Sequence, residues 1–113
     1  MEIGKVPESV LKRAIFRQIR TKRREVLVGA SVGEDCAAVK LAPDETLVMS
    51  TDPITGTAKD IGTLAILITV NDLASSGATP VGVLLTVLLP ESVEEPELRK
   101  MMAQVEERLS QMK

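Results

Sequence analysis

The sequence predicts an α/β (α+β) fold, a four-stranded mixed or antiparallel sheet with helices on one face. Three observations carry that expectation. Apolar residues recur at helical spacing in an opening and a closing segment. Between these segments, short apolar runs broken by Gly, Pro and Asp read as strands. One later run, 81–89, lies between two prolines and has a large apolar residue at every odd position, the two-residue period of a strand. The 113 residues are the size of one domain, and no linker, repeat or low-complexity stretch divides 1–113.

Pro7 and Glu8 suit the first turn of a helix. Proline lacks an N–H that would go unused there, and glutamate favours the positive end of the helix dipole. Val10, Leu11, Ala14, Ile15 and Ile19 then share one face, with Lys12, Arg13, Arg17 and Arg20 mostly opposite. Residues 25–29 form the first strand, Gly33-Glu34-Asp35 a turn and 36–41 the second strand. Pro43-Asp44-Glu45 turns the chain into a third strand, 46–51, apolar on both faces as inside a sheet. Asp60 is placed to cap a helix starting at Ile61, with Gly77 as its left-handed terminator. Strand 81–89 follows, one face fully buried and the other largely so. After Pro90, Ser92 and Glu95 have capping-box spacing, and Pro96 leaves the start of the last helix open. Leu98, Met101, Met102, Val105, Leu109 and Met112 make its apolar stripe. If helices cover one face of the sheet, the apolar residues of the other need a cover that 113 residues do not supply. A second subunit or a further domain is the expected cover.

Composition closes some functions. Hydrophobic residues make up 44% of the chain, enough for a core, but Phe16 is the single aromatic. That leaves almost no means of stacking nucleic-acid bases, and no nucleic-acid partner is expected. With no histidine, any acid, base or metal ligand has to be Asp, Glu, Lys, a hydroxyl or the lone thiol of Cys36. Carboxylates and hydroxyls suit Mg²⁺ or Mn²⁺ better than Zn²⁺. The net charge of −2 hides an asymmetry, because residues 1–24 carry +6 and leave −8 elsewhere. Such a basic segment binds anions or nucleic acid, or is the solvated face of a helix. One cysteine cannot form an intramolecular disulfide, as in a reducing compartment. The N-terminus lacks the apolar stretch of a signal peptide, and the longest apolar run falls short of the ~20 residues that span a bilayer. A cytoplasmic location without a membrane partner is expected.

The stretch 50–80 holds the most informative acids. Asp72, beside Asn71, falls inside the longest apolar segment, 61–74. A carboxylate that loses hydration there needs a cation, a metal ion, backbone amides or water in a cleft to compensate it. Asp35 sits in a turn just before a strand, and Asp52, beside Thr51, leaves the third strand. Carboxylates at strand ends and on a helix packed over them can converge. They then repel unless a cation lies between them, and Mg²⁺ bridging to phosphate oxygens is the common solution. A plain turn role is the alternative for Asp35 and Asp52, but it does not explain Asp72. Thr55-Gly56-Thr57 either holds an anion through backbone N–H groups or is a surface loop. Lys59 is a candidate phosphate partner, and Cys36 reads as core rather than nucleophile.

GEDCAAV at 33–39, STDPITG at 50–56 and DIGTLAILITVNDLASSGATPVG at 60–82 resemble the N-terminal domain of the aminoimidazole ribonucleotide synthetase (PurM-like) superfamily, in its order and spacing. With the flanking helices the resemblance covers nearly the whole chain. The superfamily includes thiamine-monophosphate kinase, selenophosphate synthetase and the hydrogenase maturation factor HypE, and the chain looks most like HypE and proteins named only as synthase-related. The resemblance implies that the domain pairs across a two-fold axis so that two sheets close into a barrel, a homodimer through the apolar sheet face. It implies ATP and Mg²⁺ as cofactors. Asp35, Asp52 and Asp72 would be the metal and phosphate residues, assisted by Thr51 and Asn71. Other hydrogenase maturation proteins are the implied partners.

The pattern also departs from the family. Gly33-Glu34-Asp35 stands where Gly-Asp-Asp is frequent. The loop from Asp52 to Thr57 lacks the purine enzyme's lysine, which argues against aminoimidazole ribonucleotide synthesis. The reactive cysteine or selenocysteine of selenophosphate synthetases is absent. So are the family's second domain and HypE's C-terminal tail cysteine, and no activity is expected of this stretch alone. The expected role is the N-terminal, dimer-forming, ATP- and Mg²⁺-binding domain of a HypE-like protein. A thiamine-monophosphate kinase-like domain and a non-catalytic dimerisation module of the same fold are the alternatives.

Overall fold

The closing helix, Glu95–Ser110, is the element on which the other helices pack in this computed structural model, which describes residues 4–54 and 60–112. Pro96 sits in its first turn, where a missing N–H breaks no bond, together with Glu95 and Glu97 at the positive dipole end. Its N-cap is Glu94 rather than Ser92, and no side chain caps it, so the capping-box expectation fails. The apolar stripe is as expected. Leu98, Met102 and Val105 are buried, and Met101, Leu109 and Met112 are half-buried.

The opening segment, 8–18, is helical but unevenly wound. One α turn at Glu8–Val10 leads into a wider π turn at Leu11–Ile15 and a tight 3₁₀ turn at Phe16–Gln18. Ala14 is fully buried on its inner face, where this segment meets the closing helix. The chain is then pinned to that same helix. The Thr21 N–H donates to Glu106 Oε1 at 2.7 Å, and the Thr21 hydroxyl donates to the same oxygen.

The central helix, Ile61–Ser75, lays its first half on the closing helix. Gly62 makes the approach possible. A Cβ there would overlap the carbonyl oxygen of Met101 and lie 3.1 Å from Gln104 Cβ. One turn on, Ile66 is buried. Asp60 occupies the N-cap position at φ 61° without making a cap bond, and its Oδ1 accepts from Gln104 Nε2 at 3.3 Å instead. The other end stops as expected. Gly77 takes φ 78°, its N–H donates to the Ala74 carbonyl, and the Ala78 N–H donates to the Leu73 carbonyl. That bond pair closes a Schellman motif.

The sheet is smaller than the sequence predicts. Val26–Val28 pairs antiparallel with Ala38–Val39, Val26 opposite Val39 and Val28 opposite Ala38, with an irregularity between. A 2.7 Å bond from the Lys40 N–H to the Glu25 carbonyl continues the pairing. Among the described residues the sheet has these two strands, and 46–51 and 81–89 join no ladder. The reason is physical: alternation fixes which way side chains point, while a strand also needs a neighbour for its N–H and C=O groups. The alternation itself holds. Val81, Val83 and Leu89 are half-buried, while Leu84 and Leu88 are 89% and 91% exposed. The expected burial therefore fails for both faces, because on the odd-numbered one Leu85 and Val87 are also exposed, though less so than Leu84 and Leu88. Met49, 81% exposed, marks the same condition in 46–51. Cys36, expected in the core, is exposed. No helix among the described residues is long and apolar enough to cross a membrane.

Candidate functional site

Along the central helix the surroundings change. Its first half is packed, whereas Asn71 and Asp72 near its end are exposed. The expected burial of Asp72 is therefore corrected, and no polar or charged side chain is buried among the described residues. Asp72 stands out by its company instead. Ser50 Oγ lies 3.4 Å from Asp72 Oδ2, as donor to it, and the Asp52 side chain is in hydrogen-bonding contact with Asp72. The segment before the central helix thus folds back over that helix's last turns and sets two acids together. Asp72 also lies close to the negative end of the helix dipole, an unfavourable place for an anion.

The contact raises the Asp52 carboxyl above its ordinary range. The hydrogen bond with Asp72 is the main cause, followed by the repulsion of the Asp72 charge and then by partial desolvation. Two carboxylates in such contact repel unless a cation lies between them. Among the described residues neither has an ion pair with lysine or arginine. Two carboxylates and a hydroxyl suit Mg²⁺, which takes one or two protein carboxylates and completes its octahedron with water and phosphate oxygens. The residues present fit that ion.

The sequence-predicted site is brought together in part. Asp52 and Asp72 meet. Asp35 lies in the exposed turn before Ala38–Val39 and does not join them, and among the described residues no three carboxylate, cysteine or histidine groups gather as for a metal. Thr51 and Asn71 are exposed and make no hydrogen bond to the pair. Ser50 takes the place expected of Thr51. Its signal was available, because residues 50 and 52 point the same way in extended backbone while 51 points the other. The Thr55-Gly56-Thr57 loop and Lys59 lie outside the described residues.

The family model for the AIR synthase related protein, N-terminal domain, covers residues 33–113, and the chain belongs to that family. The match includes Asp35, Asp52 and Asp72. A protein of Methanocaldococcus jannaschii named for hydrogenase expression/formation is 30% identical over 109 residues, covering 92% of this chain and 32% of that protein. The thiamine-monophosphate kinase of Salmonella typhimurium is 33% identical over 91 residues, 74% of this chain and 27% of the enzyme. That of Escherichia coli K12 is 30% identical over 84 residues, 67% and 25% respectively. The chain thus spans a third or less of the length of these curated relatives. No solved structure matches it significantly.

Proposed function

We propose that the chain is the N-terminal domain of an ATP-dependent, HypE-like hydrogenase maturation protein, in which it holds Mg²⁺ and the ATP phosphates and pairs with a second copy. The Asp52–Asp72 contact is the observation that carries this reading, since it assembles oxygen ligands and unbalanced negative charge at one point. When bound, Mg²⁺ supplies charge neutralisation for the phosphates. Asp52 and Asp72 hold it, and Ser50 orients Asp72. Asp35, Thr51 and Asn71 are assigned to the phosphate side on the motif resemblance alone. The exposed apolar residues Leu84, Leu88 and Met49 support pairing with a second copy. Other hydrogenase maturation proteins are the remaining partners, and the cytoplasm is the location.

A second reading, a thiamine-monophosphate kinase-like domain, is favoured by the 33% identity to the Salmonella enzyme. Equilibrium binding of ATP with and without Mg²⁺ tests what the two readings share. Binding should require the metal and weaken sharply in Asp52→Asn and Asp72→Asn. Metal-independent binding that both variants leave unchanged would sink both readings. Phosphorylation of thiamine monophosphate by the protein carrying this domain separates them, since product formation establishes the kinase.

A further inference from the structure

Away from the acid pair, a cleft of about 480 Å³ is lined by Lys22, Arg23, Arg24, Val26 and Leu27. Three consecutive cations line it together with two neighbouring strand residues, of which Val26 is half-buried and Leu27 points to the opposite, exposed face. Arg23 Nη2 donates to Glu25 Oε2 at 2.9 Å, which holds the guanidinium in place. Its Nε is shut off from solvent and has no acceptor. Buried donors without partners are rare in folded proteins, because each forfeits its hydration for nothing in return. Lys22 and Arg24 have no ion-pair partner within contact distance among the described residues. Set against Glu25, the three cations leave a surplus of two positive charges. Leu27 is 58% exposed, so its side chain is open to a ligand.

We infer that this cleft binds a small phosphate monoester, with the phosphate on Lys22, Arg23 and Arg24 and the carbon skeleton against the exposed Leu27. A monoester carries nearly two negative charges near neutral pH, which matches the surplus. An arginine fork and flanking ammonium and guanidinium groups are the usual way to hold such a group. A nucleic acid fits less well. The chain has one aromatic residue for stacking, and residues outside 1–24 carry −8, which repels a long polyanion. This inference does not rest on the proposed ATP site. That site is negative and repels the same ligand in the absence of a metal.

The test is a metal-free titration of the purified chain with inorganic phosphate and with monobutyl phosphate, at ionic strength fixed with chloride, read by amide NMR shifts. Saturable shifts are expected over residues 22–28, at lower concentration for the butyl ester. Arg23→Gln should weaken binding about tenfold or more. Because that variant also breaks the pair with Glu25, the double variant Lys22→Gln/Arg24→Gln provides the independent check, and the same loss is expected there. Leu27→Ser should erase the advantage of the ester while keeping phosphate binding. Shifts that do not saturate, or an undiminished response in the double variant, overturn the inference. So does tighter binding of a single-stranded oligonucleotide or an acidic peptide than of butyl phosphate.

Discussion

The helical half of the domain and its extended half treat apolar surface and charge in opposite ways. The helical half buries Ala14, Ile66, Leu98, Met102 and Val105 and pairs Glu95 with two arginines. Glu95 receives Arg13 through Nε at 2.6 Å and Nη2 at 2.7 Å, and Arg99 through Nη2 at 3.0 Å. The Arg13 hydrogen bond is the main reason its carboxyl lies below the usual range. The extended half leaves Leu84, Leu88 and Met49 in solvent and sets Asp52 against Asp72. One half has a packed core, with only Ile19, Leu64 and Ile68 exposed among its described large apolar side chains. The other exposes apolar surface and sets like charges together, which marks it as the candidate site beside a scaffold.

Packing variants test that contrast with the largest expected effects. Ile66→Ala empties a buried position and should lower unfolding free energy by about 2–5 kcal/mol. Gly62→Ala forces the central and closing helices apart and should cost roughly 1–3 kcal/mol. Leu84→Ala, at a nearly bare side chain, should stay within about 0.5 kcal/mol in the monomer. Urea melts at low protein concentration give all three values. A loss for Leu84→Ala as large as that for Ile66→Ala would mean that the extended half is packed as firmly as the helical one.

Asp72→Asn tests the charged side of the same contrast. On the proposed function, the substitution removes a metal ligand and should lower ATP-dependent activity of the protein that carries this domain about a hundredfold or more. Stability of the domain without metal should hold or rise, because a like-charge contact is relieved. A marked drop in melting temperature would instead make Asp72 a structural residue. Since it is exposed and has no cationic partner among the described residues, such a drop has no source in this fold.

The helices were legible in the sequence because their signals are local. The stripe from Leu98 to Met112, the terminator Gly77 and the proline in the first turn each act within a few residues. The sheet was legible in part: the runs 25–29 and 36–41 contain the paired strands Val26–Val28 and Ala38–Val39, whereas 46–51 and 81–89 were legible only as side-chain direction. The alternation in 81–89 is real, but the partner for its backbone is not written in it. For the site, the order of motifs marked Asp52 and Asp72, and their meeting followed. The burial of Asp72 was misjudged because the apolar run around it suggested a core, whereas the packed surface of the helix ends near Ile66. Gly62 went unnoticed, since a helix–helix contact with residues 101 and 104 leaves no trace near residue 62.

Leu84→Lys and Leu88→Lys test whether a second copy completes the extended half. Each places a charge on the even-numbered, exposed face, so the monomer should keep its fold. If that face pairs with a second copy, a buried lysine should weaken association by about a hundredfold, visible as a shift to monomer in sedimentation at micromolar concentration. An unchanged dimer would move the interface elsewhere, and a parent chain that is monomeric throughout would remove it.

The smallest effect concerns acid, and it contrasts Glu95 directly with Asp52. The folded pKa of Glu95 lies below its unfolded value of about 4.3, so its contribution is full above that value and disappears as pH falls through the lowered folded range. Asp52 has the opposite sign. Its folded pKa lies above the unfolded value of about 3.9, so the folded state binds the proton first. The contact with Asp72 therefore destabilises the fold above the raised pKa, and acidification through that range relieves it. Urea melts of Glu95→Gln and Asp52→Asn, stepped from about pH 7 to about pH 3, should diverge in sign. Glu95→Gln should be less stable than the parent near neutrality, with the deficit closing in acid. Asp52→Asn should be more stable near neutrality, with the advantage closing as the parent's Asp52 takes up its proton. Both differences should be modest, because both groups remain partly in water. Curves that close from the same side would show that the two clusters are electrostatically alike, and the division into scaffold and site would lose its charge argument.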